Sequence, residues 1–291
     1  MSRPIVLRAL LDDPDVTDVL VNNGTELWCD RGGSLERIGS LAPGFIEVEL
    51  ERILAPLGRR LDRLHPVVDA RLADGTRVSA VISPIAVHGT CVAYRLLRHH
   101  RFALDDFASE HATADDLAAL VRDRRNVLVS GATGSGKTTL VGALVSDVPS
   151  DERVVILEDV QEIVAHHSHL VRLETRPPTA DERGGVDLDD LLRAALRLRP
   201  DRLVVGEVRG SEAVTLINAL NTGHLGSMAT VHANNAHDAL NRLALLVHRV
   251  LHGVDARTIE RMVRSAIHAV VHLSRDTNGR RHVEQVLRLP R

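Results

Sequence analysis

Aromatic side chains are nearly missing from this 291-residue chain: three Phe, one Tyr and one Trp make up 2% of it, and none lies beyond Phe107. Lysine is scarcer still, with Lys137 the single one among 36 cationic residues. Cysteine is limited to Cys29 and Cys91, and no long uncharged apolar run occurs. Each shortage excludes something. Without a ladder of rings there is no platform for stacking single-stranded bases. Two distant cysteines form neither a disulfide framework nor a C-x-x-C metal or redox pair, so reduced thiols in a cytosolic protein are expected. A membrane-spanning helix needs roughly 18 apolar residues in a row, so no transmembrane segment is expected. Residues 1–13 hold an apolar stretch broken by Arg8 and closed by Asp12 and Asp13, which does not read as a signal peptide. Excess positive charge is lacking too. The 36 cations face 39 acids for a net charge of -3, so no direct grip on a nucleic acid backbone is expected.

What is present can fold. Hydrophobic residues make up 44% of the chain and are spread along it, enough for a core. A polar stretch at residues 98–112 separates two differently patterned regions, and residues 101–112 are read as a linker. Residues 1–100 mix a helical segment at 47–64 with strand-like runs. Two of these, within 67–82, flank an Asp74-Gly75 turn, and another covers 87–96. A small α+β domain with an antiparallel sheet is expected. Residues 113–291 alternate apolar runs (127–130, 154–158, 203–207 and 228–232) with helical patterns (137–146, 188–198, 211–222 and 236–251). That is the pattern of a parallel α/β sheet. A helix at 256–269 and a hairpin turning at Asn278-Gly279 complete it.

Residues 131–138 read Gly-Ala-Thr-Gly-Ser-Gly-Lys-Thr, a match to G-x-x-x-x-G-K-[ST] with an apolar strand leading in and a helix leading out. Gly131, Thr133, Gly134, Ser135 and Gly136 form a loop whose backbone N–H groups can turn inward around phosphates at a helix N-terminus. Lys137 can reach the β- and γ-phosphates as a compact point charge, Thr138 can offer its hydroxyl to Mg²⁺, and Thr139 extends the site. The loop predicts binding of a nucleoside triphosphate, ATP with Mg²⁺. Genomic base composition accounts for arginine replacing lysine in general, but the ammonium survives where a planar guanidinium has the wrong shape.

Two acidic positions close predicted strands: Glu207, after Leu203-Val-Val-Gly, and Glu158, next to Asp159 after Val154-Val-Ile-Leu. Both would project beside the loop at the carboxyl edge of the sheet, where they could divide the tasks of orienting a water and holding a metal-bound phosphate. His224 and His232 lie in a third polar cluster at 222–234, and a histidine at a strand end can bond to a γ-phosphate. The run His166-His167-Ser168-His169 has no cysteine or second matched cluster and reads as a polar loop.

Taken together these blocks resemble the secretion-superfamily traffic ATPases that power type II and type IV secretion and type IV pili, closest to the Tad/Cpa branch of tight-adherence pilus motors. Besides the loop, the resemblance rests on residues 13–22, on the arginine-bearing hairpin at 69–77, and on an Asp box at 156–159 with Glu162. It also rests on an extended Walker B region at 196–212 and a His box at 222–234. It implies a small N-terminal α+β domain followed by a RecA-like P-loop NTPase domain. It implies Glu158 as general base or water-positioning acid, Glu207 holding the metal through water, and His232 sensing the γ-phosphate. Arg71, Arg77 and Arg95 of the first domain are the matching candidates for arginines that close on the nucleotide; the register across Asp74-Gly75, and hence whether Arg71 and Arg77 share a face, stays open. The implied protein is a homo-hexamer in the cytoplasm, peripheral at the inner face of the cytoplasmic membrane, working on an inner-membrane pilus or secretion platform protein. With no aromatic in the second domain, a stacking ring for the base should be Phe102, Phe107 or Tyr94; otherwise an arginine or aliphatic side chain covers it.

Overall fold

A computed structural model describes residues 5–31, 33–96, 102–176, 184–276 and 279–290. The chain divides into two compact units, Met1–His99 and His100–Arg291.

The first unit contains α1 (Ile5–Asp12), β1 (Val16–Asn22), β2 (Glu26–Arg31), β3 (Ser34–Ser40), α2 (Phe45–Leu54), β4 (Val67–Arg71), β5 (Arg77–Val81) and β6 (Cys91–Arg95). The strands form one antiparallel sheet in the order β3-β2-β1-β6-β5-β4. Alternation in the sequence sends Val19, Val21, Val78, Val92 and Tyr94 to one face, where Leu7 of α1 and Ile46, Leu50 and Leu54 of α2 bury them. The helix expected over 47–64 ends at Leu54, because a 3₁₀ turn containing Pro56 follows and Gly58 takes the left-handed conformation at φ 65°. The strand expected over 87–96 is confined to Cys91–Arg95. Gly89 before it sits at φ 122° against Asn23, where a Cβ would lie 2.9 Å from a backbone carbon. The hairpin forms with Arg71 opposite Arg77, its turn held by the Thr76 amide donating to Asp74 Oδ1 at 2.9 Å.

The second unit contains α3 (Ala114–Arg122), β7 (Val127–Gly131), α4 (Lys137–Ser146), β8 (Val154–Glu158), β9 (Leu170–Glu174), α5 (Leu188–Ala195) and β10 (Arg202–Val205). It continues through α6 (Glu212–Asn221), β11 (Met228–His232), α7 (Ala236–Val250), α8 (Ala256–Ala266), β12 (Ala269–Arg275) and β13 (Arg281–Arg288). Its sheet runs β13-β12-β7-β11-β10-β8-β9, parallel throughout except for β13. Alternate residues of the apolar strands face opposite helical layers. Val127, Val129, Val154 and Ile156 pack toward α3 and α4, whereas Leu128, Val155, Leu157 and Leu203 pack toward α5, α6, α7 and α8. Burial on both faces is why these strands read as unbroken apolar runs. Within the stretch expected as a linker, Phe107 is fully buried in the core of this unit, and Ser109 donates to the Val283 carbonyl at 2.5 Å. The expected Asn278-Gly279 turn lies half outside the described residues; Gly279 sits at φ 80° and donates to the Asp276 carbonyl at 3.0 Å. Parallel pairing leaves the carboxyl ends of β7, β11, β10 and β8 side by side on one edge.

Candidate functional site

The loop between β7 and α4 is built to hold its backbone bare. Gly134 and Gly136 have φ of 75° and 98°, the left-handed region that side chains avoid. A Cβ at Gly131 would lie 2.5 Å from the Leu273 carbonyl oxygen and 2.5 Å from Ser135 Oγ. The Ser135 hydroxyl is buried with no hydrogen-bond partner among the described residues, an orphan donor inside the loop. Lys137 is 6% exposed and folds back over the loop, its Nζ donating to the carbonyls of Gly131 (3.0 Å) and Ala132 (2.8 Å) and lying 3.3 Å from His232 Nδ1. Burial lowers the pKa of this ammonium, and Glu207 pulls it back up. Ala132, Thr133 and Gly134 are exposed, and a cavity of about 550 Å³ is lined by Ala132 and Thr133 together with His232, Asn234 and Arg242. An orphan donor, a buried ammonium and the free amides at the start of α4 fit the phosphates of a nucleotide.

His232 closes β11 in register with Gly131, so the strand pairing itself sets the histidine beside the loop. Its Nε2 lies 3.1 Å from Glu207 Oε1. Glu207 follows β10 by two residues, since that strand ends at Val205 rather than at 207; Gly206 donates to the Leu157 carbonyl (2.8 Å) and Val208 to the Thr230 carbonyl (2.9 Å). Arg209 Nη2 donates to Glu207 Oε2 at 2.7 Å, and its Nη1 lies 3.8 Å from Asp159. Burial alone would raise the Glu207 pKa, but Arg209, His232 and Lys137 outweigh it and hold the carboxylate ionised. Lys137, His232, Glu207 and Arg209 therefore form one continuous polar chain, with Thr138 half-buried on the first turn of α4.

Glu158 is set apart from that chain. At the end of β8 it is 4% exposed, its Cγ tight against Gly206, where a Cβ would lie 2.9 Å away. Its Oε1 accepts the amides of Glu162 and Ile163, both at 2.8 Å, and its Oε2 lies 3.6 Å from Arg172. Desolvation dominates these contacts and pushes its pKa up to about 7, where a carboxyl group can take and return a proton.

Arg71, Arg77 and Arg95 belong to the first unit, and there they stand in a row. Arg71 pairs with Arg77, Arg77 with Arg95, and Arg95 with Asp18. Directly opposed residues share a face, so the open register resolves with all three arginines on the face away from the core. Asp18 accepts from Arg95 Nε at 3.0 Å.

Among the described residues, no three His, Cys, Asp or Glu side chains gather as a metal cage. His167 instead faces the Pro149 carbonyl (3.0 Å) and His169 meets Arg153 (3.0 Å). Thr138 and Glu207 offer a hydroxyl and a carboxylate, oxygen donors of the kind Mg²⁺ takes; Mg²⁺ uses few protein ligands and completes its shell with phosphate and water. Sequence reasoning had missed the partners Arg172 and Arg209; only the position of Arg209 two residues past Glu207 offered a signal. Among the described residues no helix is long and apolar enough to cross a membrane.

A family model described as type II/IV secretion system protein matches residues 3–287. The chain is 39% identical over 293 residues to a putative conjugal transfer protein of Mycobacterium tuberculosis, covering 97% of this chain and 83% of the relative. It is 31% identical over 318 residues to the type IV secretion system protein VirB11 of Brucella suis, covering 96% and 87%. The crystal structure of the Brucella suis VirB11 ATPase with sulphate superposes with a TM-score of 0.54 at 28% identity over 97% of this chain and 92% of that one. The pilus retraction motor PilT with bound ADP superposes with a TM-score of 0.73 at 20% identity over 100% and 84%, a likeness of fold. The fold is a small N-terminal α+β domain followed by a RecA-like P-loop domain.

Proposed function

This chain belongs to the type II/IV secretion system protein family, and we propose that it serves there as a hexameric ATPase whose interdomain motion powers pilus assembly or protein secretion. The observation that carries this reading is the alignment, along one sheet edge, of the loop at 131–138 with His232, Glu207 and Glu158. ATP with Mg²⁺ supplies a phosphoric anhydride whose terminal phosphoryl group passes to water. Lys137 exchanges its two backbone carbonyls for phosphate oxygens, and Thr138, with Glu207 through water, would hold the cation. Glu158 orients the attacking water and takes its proton, a task suited to a carboxyl group with a pKa near 7. His232 couples the phosphate end of the site to Glu207 through its 3.1 Å contact. Residues 1–100 act as the domain that supplies Arg71, Arg77 and Arg95 to the nucleotide, and residues 113–291 as the ATPase domain. An arginine that offsets transition-state charge is worth roughly 10³–10⁵ in rate in related phosphoryl transfer. The partner is an inner-membrane platform protein, of the Tad pilus kind, met at the inner face of the cytoplasmic membrane.

A second reading keeps the site and changes the cargo. The Mycobacterium tuberculosis relative and a Rhizobium radiobacter relative, 33% identical and called TrbB, are both named conjugal transfer proteins, which supports a motor for DNA transfer. The balanced charge favours the first. Lys137→Ala should abolish nucleotide binding and turnover, and Glu158→Gln should keep binding while removing turnover. Wild-type turnover no faster than that of Glu158→Gln would leave only a nucleotide-binding scaffold. Stimulation by DNA that falls steeply with salt would select the conjugative motor. A strict monomer at micromolar concentration with ATP, by mass measurement in solution, would overturn the hexamer.

A further inference from the structure

We propose that Arg281, backed by Phe102, is the platform on which the nucleobase of the bound nucleotide lies; this rests on the nucleoside-triphosphate reading of the loop. Sheet order gives the direction. β7 lies between β12 and β13 on one side and β11 and β10 on the other. His232 and Glu207, on the β11 and β10 side, mark the end where the γ-phosphate is cleaved. A triphosphate crossing the start of α4 from there carries its base toward β12 and β13.

On that side stands Arg281, the first residue of β13, paired with Arg275 just beyond Leu273, which is itself level with Gly131. Its Nη1 donates to Thr139 Oγ1 at 3.1 Å, and its Cδ packs so closely that a Cβ at Gly136 would lie 2.6 Å from it. Thr139 is one residue past the cation-binding Thr138, so the guanidinium sits where the nucleotide leaves the loop. The guanidinium carbon lies 5.5 Å from the centre of the Phe102 ring, which in turn tilts against Phe107 at 6.1 Å. Phe107 is fully buried, so it anchors the exposed Phe102. Among the described residues no carboxylate pairs with Arg281, and burial together with Arg275 holds its pKa below the usual arginine value. A half-buried cation without a counter-charge, flat and ring-backed, suits an electron-rich planar ligand. Stacking through its face reads no hydrogen-bonding edge of the base, so it holds purines without choosing between them.

The test is competition against ATP bearing a fluorophore on its ribose, with ATP, GTP and inorganic tripolyphosphate as competitors. Arg281→Ala should weaken ATP and GTP alike by about tenfold and leave tripolyphosphate within about twofold, as expected for loss of one stacking surface. Arg281→Lys, which keeps the charge and loses the plane, should resemble Arg281→Ala. Phe102→Ala, which touches no loop residue, should weaken ATP in the same direction without affecting tripolyphosphate. Equal weakening of ATP and tripolyphosphate by Arg281→Ala would make Arg281 a phosphate or loop-packing residue and overturn the proposal, as would unchanged ATP binding. Failure of the loop reading would show separately, as Lys137→Ala binding both competitors like wild type.

Discussion

Exchanging Glu158 for Gln should stabilise the protein, by an amount that grows as the pH rises from about 4.5 to about 7. The carboxyl group is 4% exposed, and burial raises its pKa from 4.5 to about 7. At about 1.4 kcal/mol per unit, that shift costs the folded state about 3 kcal/mol once the group is ionised. The direction follows from proton counting. Below pH 4.5 the group is protonated in both states and costs nothing. Between 4.5 and 7 the folded state keeps a proton that the unfolded chain gives up, so stability falls as pH rises. Above 7 both are ionised and the whole penalty is felt. Glutamine retains a carbonyl for the amides of Glu162 and Ile163 and carries no charge to desolvate. The two proteins should melt together near pH 4.5 and diverge to roughly 6–12 °C by pH 8, taking ~2–4 °C per kcal/mol for a unit of this size. Thermal melts of nucleotide-free protein at constant ionic strength, from pH 4.5 to 8, measure the difference curve. Parallel melting profiles across that range would refute the reasoning, because then Glu158 would not be the group that binds the extra proton.

Three other substitutions probe the frame around the site. Gly142 lies inside α4 where a Cβ would come within 2.3 Å of the Val164 carbonyl oxygen, so Gly142→Ala should lower stability by about 1–3 kcal/mol despite the better helix propensity of alanine; a higher urea midpoint would contradict this. Arg202 is 1% exposed and donates to both oxygens of Glu152 at 2.7 and 3.1 Å. Arg202→Met should cost roughly 1–3 kcal/mol at pH 7, because Arg124 still pairs with Glu152 at 2.7 Å while the Val121 carbonyl loses its donor. The loss should shrink in acid, since Arg202 holds the Glu152 carboxyl below its ordinary pKa; a pH-independent loss under about 0.5 kcal/mol in urea titrations would count against the pair. Arg77→Gln removes the middle charge of the row on an exposed sheet face, so the stability of the first unit should change by less than about 1 kcal/mol. Its ATP turnover should nonetheless fall by roughly 10³ or more, and equal losses in stability and turnover would point to a packing role instead.

How much could be read in advance differs between the units for physical reasons. The loop was legible because its glycines do local work: left-handed angles at Gly134 and Gly136 need no distant partner to explain them. The strands β7, β8 and β10 were legible because burial on both faces leaves continuous apolar runs. β3 was not, since nearly every residue in it is exposed and no alternation results. β9 is only partly buried along its length and left a similarly faint trace. Pairings that depend on tertiary placement were invisible as well. Nothing in the residues near Glu158 announces that Arg172, fourteen positions later, will lie 3.6 Å from it. Nor does the spacing from Thr139 to Arg281 hint at a hydrogen bond.

The arginine row joins these two kinds of information. Each arginine could be singled out by its place in a motif, but only the register tells whether the three act together. With Arg71 opposite Arg77 and Arg77 opposite Arg95, like charges face each other across two successive strand pairs, an arrangement that destabilises a sheet. The core of this unit is made on the other face by Val68, Val78, Val92 and Tyr94, and at the row's far end Asp18 pairs with Arg95. Three guanidinium groups on one face suit a polyanion, and the triphosphate of the proposed function is one. The stability of the first unit should then rise when tripolyphosphate is added to wild type and respond less in Arg77→Gln. The same response in both proteins would mean that the row is solvated charge.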